Sequence, residues 1–164
     1  MPFDALATGP VHKANTIAHV QVAAIPLRWI EGAPQVLLVT TRGRGQWIVP
    51  KGWPLGDYPD CESARREAFE EAGVTGRIET YSLGSFEYWK GEGKKRAFFE
   101  AHAFALHVDE VLTDWPERKA RTRCWFTVQN AANLVRPDLS ALIFEAAYGP
   151  RNAIRPKPAL ALMC

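Results

Sequence analysis

Gly52-Trp53-Pro54-Leu55-Gly56-Asp57-Tyr58-Pro59-Asp60-Cys61-Glu62-Ser63-Ala64-Arg65-Arg66-Glu67-Ala68-Phe69-Glu70-Glu71-Ala72-Gly73-Val74 reads as a rigid loop that turns into a helix. The loop half is punctuated by Gly52, Pro54, Gly56 and Pro59. From Cys61 to Ala72 there is neither Gly nor Pro, Asp60 stands where an N-cap belongs, and Gly73 supplies a C-terminal stop. Ala64, Ala68 and Ala72 recur every fourth residue, and small side chains at that period suit a helix pressed closely against a sheet, with Phe69 and Val74 adding apolar surface. Glu67, Glu70 and Glu71 are spaced i, i+3 and i+4, so an α-helix puts them on one face, with roughly 5–6 Å between neighbouring Cβ atoms. At an effective dielectric near ~20 each such pair costs on the order of a few kcal/mol before screening, which a divalent cation relieves. Hard oxygen donors of this kind suit Mg²⁺ or Mn²⁺, and Mg²⁺ commonly bridges carboxylates to substrate phosphates. The same residues, with Arg66 and Glu70 spaced for a surface ion pair, also describe a solvated helix face. Spacing alone leaves both readings open.

Working outward, Thr16 to Trp29 is rich in β-branched residues and reads as a strand that Pro26 either ends or confines to an edge. Gly32 and Pro34 make a turn, and Gln35 to Thr41 is the short apolar run of a strand buried on both faces. After the glycine-punctuated loop from Arg42 to Gln46, Trp47 to Val49 is a further short strand, broken by Pro50. Beyond the helix, Arg77 to Trp89 and Lys95 to Val108 flank a hairpin tip at Lys90-Gly91-Glu92-Gly93, so the two are expected to pair. Thr122 to Val128 completes the strands, and Gln129 to Val135 and Asp138 to Tyr148 read as two short helices. Strands, one helix, more strands and then helices imply an α/β chain with a mixed sheet covered by helices. One domain over residues 16–148 is expected, between an N-terminal tail (1–15) and a C-terminal tail (149–164).

The 164 residues are ordinary for a globular chain, 47% hydrophobic and 23% charged, which is enough to build a core without disulfides or a structural metal. A net charge of +2 announces neither a nucleic-acid nor a membrane partner, so any substrate electrostatics must be local. Cys61, Cys124 and Cys164 are odd in number and form no C-x-x-C pair, which fits a reducing compartment. The four histidines form no H-E-x-x-H, and no P-loop is present. There is no apolar run of transmembrane length and no signal-peptide pattern at the N-terminus, so a cytoplasmic protein is expected.

The Gly52–Val74 stretch resembles the Nudix box, G-x5-E-x7-R-E-U-x-E-E-x-G-U, where U is a bulky aliphatic residue. Gly52, Arg66-Glu67, Glu70-Glu71 and Gly73-Val74 match it in register. Tyr58 stands where the first glutamate belongs, and Ala68 takes the first aliphatic position. Trp47 to Pro54, Asp114-Trp115 and Arg121 to Phe126 are similar, more loosely, to the branch of diphosphoinositol polyphosphate phosphohydrolases. The resemblance implies a Nudix-type α/β/α sandwich with a catalytic loop-helix, and a magnesium-dependent hydrolase that sends water to phosphorus in a phosphoanhydride.

By the same resemblance Glu67, Glu70 and Glu71 divide metal ligation and general-base work, with Glu67 and Glu71 as principal ligands and Glu70 as ligand or base. Arg66 pairs with carboxylates to fix the helix, and Gly52 permits close backbone approach. The Tyr58 replacement implies a weaker metal site, or compensation from Asp57, Asp60 or Glu62. Phosphate binding is expected of Arg42, Arg44 and Lys51, which flank the metal loop, and of Lys94, Lys95, Arg96, Arg121 and Arg123. The implied substrate is a small, highly phosphorylated molecule such as a diphosphoinositol polyphosphate or dinucleoside polyphosphate. A nucleotide sugar, damaged nucleotide or capped RNA end, or a non-catalytic sensor on the same fold, are the alternatives. Monomer and homodimer both stay open.

Overall fold

β1 (His19–Ile30) is the central strand of the computed structural model, which describes residues 18–150. It runs parallel to β7 (Ala97–Val111), in register from His19 opposite Phe99 to Leu27 opposite His107. Along its other edge it pairs antiparallel with β4 (Lys51–Gly52) and then with β2 (Ala33–Thr40). β2 also pairs with β3 (Trp47–Ile48) and β8 (Arg123–Thr127), and β7 with β5 (Val74–Ile78) and β6 (Gly84–Lys90), all antiparallel. Among the described residues the result is one mixed sheet of eight strands.

Pro26 neither ends β1 nor lies at an edge, contrary to the expectation from sequence. It is buried in mid-strand opposite Leu106. Its missing N–H falls on the side where one partner has finished and the next has not begun. There Ala24 donates to the Pro50 carbonyl at 3.0 Å, and pairing resumes only at Leu27 opposite Val36. No ladder hydrogen bond is lost, so the proline is tolerated. The strand expected over Arg77 to Trp89 is likewise two strands, β5 and β6, laid end to end against the long β7.

Helix α1 (Asp60–Glu67) begins at Asp60, so that residue is the first of the helix and Pro59 takes the N-cap position, with no side-chain cap. Over Ala68–Ala72 the helix widens into i→i+5 turns, and it ends on Gly73 in the left-handed conformation, φ +64°. A Cβ at Gly73 would also run into Trp115 and Arg123. Ala64, Ala68 and Ala72 are fully buried against Val22, Ala24, Val39 and Leu106 of the sheet. The opposite sheet face carries α2 (Val128–Leu134) and α3 (Pro137–Tyr148), which bury Leu139 and Ile143 against Ile25, Leu38 and Phe86. Burying each of these large side chains contributes about 1.5–3 kcal/mol. The architecture is therefore an α/β/α sandwich. No helix among the described residues is long and apolar enough to cross a membrane. The expected tails, residues 1–15 and 149–164, lie outside the described residues except for Gly149 and Pro150.

Candidate functional site

β4 hydrogen-bonds to β1 and places Gly52 directly beneath the end of α1. The Glu67 carboxylate lies over Gly52, where a Cβ would overlap it. Only glycine leaves that space. Glu67 is half-buried, and its carboxyl is pushed up to about 7, first by burial and then by the nearby Glu71 and Glu70. Each of these causes disfavours the charged form.

Glu71 is buried at 5% exposure, and both of its carboxylate oxygens are engaged. The Lys51 backbone N–H donates to Oε2 at 3.2 Å, and Arg121 Nη2 donates to Oε1 at 2.9 Å. Burial raises this carboxyl above the usual range, against the pull of Arg121 and Lys51. Glu70 turns back instead to Arg66, whose Nε donates to it at 2.8 Å, while the Glu70 carbonyl accepts from the Glu117 N–H at 3.0 Å.

Glu70 is thus engaged by Arg66, while its charge and that of Glu71 both act on Glu67. Among the described residues no three acidic, histidine or cysteine side chains are gathered as a metal-holding group. Glu70 and Glu71 lie within the wide turn over Ala68–Ala72, and Glu70 is held by Arg66. Glu67 with Glu71 still fits a hard divalent cation. Mg²⁺ typically takes one or two carboxylates and completes its shell with water and substrate phosphate, and the mutual repulsion that raises Glu67 is what a cation relieves. Tyr58, at the position of the first box glutamate, is exposed at 66% and brings no carboxylate.

Beside Glu71 a cleft of about 930 Å³ opens, and Lys51 and Arg121 line it as well as contacting that glutamate. Arg42, Arg44 and Arg96 also face it, as do Lys90 and Arg136, which sequence reasoning did not single out. Among the described residues seven cationic side chains meet one lining carboxylate, Glu92, although the whole chain carries only +2. Arg42 is paired with Glu117 and Arg44 with Glu92, both as exposed arginines. Arg96 stacks on Trp89 at 4.5 Å, and Trp47, Phe86 and Tyr88 complete the apolar part of the wall.

Three of the expected phosphate-binding residues stand elsewhere. Arg123 is stacked on Trp115 at 3.7 Å and donates to the carbonyls of Ala72 at 2.8 Å and Leu112 at 2.6 Å, so it ties down the end of the helix and is no part of the cleft. Lys95 lies in an exposed 3-10 turn, Gly93–Lys95, outside the lining, and Lys94 shares that turn. Lys90, Tyr88 and Arg136 come from β6 and from the start of α3. No local pattern marks them, because only tertiary packing brings these segments together.

The NUDIX domain family matches residues 18–145. Among curated proteins, "Nudix hydrolase 12, mitochondrial" of Arabidopsis thaliana is 41% identical over 106 residues, which are 62% of this chain and 52% of that protein. "Diphosphoinositol polyphosphate phosphohydrolase 3-beta" of Bos taurus is 35% identical over 109 residues, 65% of this chain and 63% of that protein. The chain thus spans about half to two thirds of the length of these relatives. Among solved structures, a C. elegans Ap4A hydrolase binary complex shares the fold with a TM-score of 0.56 at 16% identity, covering 76% of this chain and 91% of that one.

Proposed function

Because the chain belongs to the NUDIX domain family, we propose that it hydrolyses a phosphoanhydride bond in a small, densely phosphorylated molecule, with a divalent cation, Mg²⁺ or Mn²⁺, held by Glu67 and Glu71. The observation that carries this reading is the junction at Glu71. Its two carboxylate oxygens are tied to Lys51 and Arg121, and the same two residues line a cleft with seven cations. Acid site and anion site therefore share residues.

Each group has a physical task. Arg42, Arg44, Lys51 and Arg96 neutralise and orient phosphate oxygens in the cleft, with arginines suited to bidentate contact. The aromatic walls exclude water. Glu67, whose carboxyl is pushed up to about 7 by burial and by Glu71 and Glu70 while no cation is bound, is held in its ionised, ligating form by the cation, which leaves Glu70 as ligand or general base. Glu70 can join the site by exchanging its ion pair with Arg66. When bound, the cation supplies charge neutralisation at phosphate oxygens and acidification of a water.

The charge of the cleft favours a substrate such as a diphosphoinositol polyphosphate, in keeping with the name of the bovine relative, or a dinucleoside polyphosphate, in keeping with that of the C. elegans fold neighbour. A second reading, a base-bearing nucleotide, draws on Trp89, a residue 43% exposed at the cleft wall. A substrate panel with phosphate detection, run with Mg²⁺ and with Mn²⁺, tests the proposal. Release from polyphosphorylated substrates, lowered by orders of magnitude in Glu67→Gln and Glu71→Gln, is the expected result. Unchanged turnover in both variants overturns it.

A further inference from the structure

We infer that Tyr88 is a positioning residue for this site: its ring carries the Lys51 ammonium and holds it in the cleft where the phosphate oxygens of a diphosphate must lie. The inference rests on the reading of the cleft as a pyrophosphate site and adds a residue that the loop-helix pattern does not contain.

Lys51 Nζ stands 4.6 Å from the centroid of the Tyr88 ring. Among the described residues it makes no carboxylate ion pair, although the charges of Glu71 and Glu67 act on it from farther off, and the ring face is the close contact found for its ammonium. The ring itself has little freedom. It stacks on Phe99 at 5.2 Å with planes 12° apart, and its hydroxyl donates to Oε1 of Gln21, which is buried at 8% exposure. Phe99 and Tyr88 are also cross-strand partners of β6 and β7, so the platform is built into the sheet.

Lys51 needs such a support. A lysine carries four flexible methylenes, and a direct carboxylate ion pair would compete with substrate for the ammonium. An aromatic face attracts the cation without supplying an anion, which leaves the ammonium's hydrogen-bonding capacity for a phosphate. Meanwhile the backbone N–H of the same residue grips Glu71 at 3.2 Å. Ring, ammonium and acid site are thereby set at fixed separations through one residue.

The test is a double-mutant cycle on the binding of methylenediphosphonate, a non-hydrolysable pyrophosphate mimic, to the full chain in Mg²⁺, read by calorimetry. K51M and Y88L are each expected to weaken binding roughly 3- to 30-fold. Y88L should add nothing once Lys51 is methionine, because Tyr88 then has no ammonium to hold. Y88F, which keeps the ring and loses only the bond to Gln21, should recover most of the loss. A merely structural tyrosine would instead give multiplying losses in the double variant, and that result overturns the inference. A second readout needs no tyrosine variant. The ε-methylene protons of Lys51, identified by their disappearance in K51M, should be shifted upfield by the Tyr88 ring current, and random-coil shifts there would also overturn it. Wild-type protein that binds no diphosphonate removes the reading of the site and this inference together, whereas wild-type binding with multiplying losses removes the inference alone.

Discussion

Arg121 donates from Nη2 to Glu71 Oε1 at 2.9 Å, and the two side chains are 13% and 6% exposed. The arginine also donates to the Thr40 carbonyl at 3.1 Å, so it ties the helix carrying Glu71 to the end of β2. Removing one partner of a buried pair costs about 3–5 kcal/mol, because it leaves the other charge uncompensated. Arg121→Met is therefore expected to lower metal-free stability by about that much, as read from urea midpoints. With Arg121 gone the Glu71 carboxyl rises further, so the loss should be smaller at pH 5 than at pH 8. An equal loss at both pH values would show that the pair contributes packing only.

Gly52→Ala separates stability from catalysis. The added Cβ falls on the Glu67 carboxylate, the far end of a side chain that can swing aside at small cost to the fold. It cannot swing aside and keep its place. We expect a shift in Tm of only a few degrees together with a fall in kcat on the order of 100-fold, the scale associated with a displacement of about 1 Å at a reacting group. Parallel melts and turnover assays check this, and full activity in the alanine variant would mean that Glu67 acts from another position.

The helix stripe was legible in the sequence because a period of four with alanine only is a packing statement, and Ala64, Ala68 and Ala72 are buried where that statement puts them. The left-handed stop at Gly73 was legible for the same local reason. Pro26 misled because a proline reports its missing donor and not whether a neighbouring strand needs one. The i→i+5 turn over Ala68–Ala72 has no composition of its own, and spacing could not say that Glu70 would pair with Arg66 while Glu71 takes Lys51 and Arg121. Basic residues were least legible. Arg121, Arg123 and Lys95 are alike in sequence, and only the packing decides that one grips Glu71, one caps a helix and one faces solvent.

Glu67 gives the metal-free protein a pH dependence with a definite sign. Its folded carboxyl is pushed up to about 7 from an ordinary 4.5, so the protonated form is favoured by folding. The associated stability is fully present below the unfolded value and is lost as pH rises through about 7. Urea midpoints in a chelator should fall between pH 5 and pH 8, and Glu67→Gln should flatten that slope. Millimolar Mg²⁺ should flatten it too, because a bound cation favours the ionised carboxylate. A slope unchanged in Glu67→Gln would assign the titration to another group.

Arg123 is expected to matter for stability and not for substrate. It stacks on Trp115 and donates to the Ala72 and Leu112 carbonyls, and hydrogen bonds from a charged group contribute about 1.5–3 kcal/mol. Arg123→Ala should destabilise the fold by about 2–4 kcal/mol while KM stays within about twofold. A large rise in KM with the melt unchanged would return Arg123 to the phosphate-binding set.

Arg44 and Lys95 distinguish cleft geometry from overall charge. Both are exposed, and each substitution to alanine removes one positive charge, but only Arg44 faces the cleft. Screening over about 10 Å at 0.1 M salt confines an exposed charge to its own neighbourhood. Arg44→Ala should therefore raise KM for a polyphosphorylated substrate about 5- to 10-fold, the scale of a phosphate contact of about 1–1.4 kcal/mol. Lys95→Ala should stay within about twofold, since its charge is spent on solvent. Michaelis curves at 0.1 M salt check the contrast. Equal rises for the two variants would mean that substrate is drawn by a diffuse field, with no fixed arginine contact at the cleft.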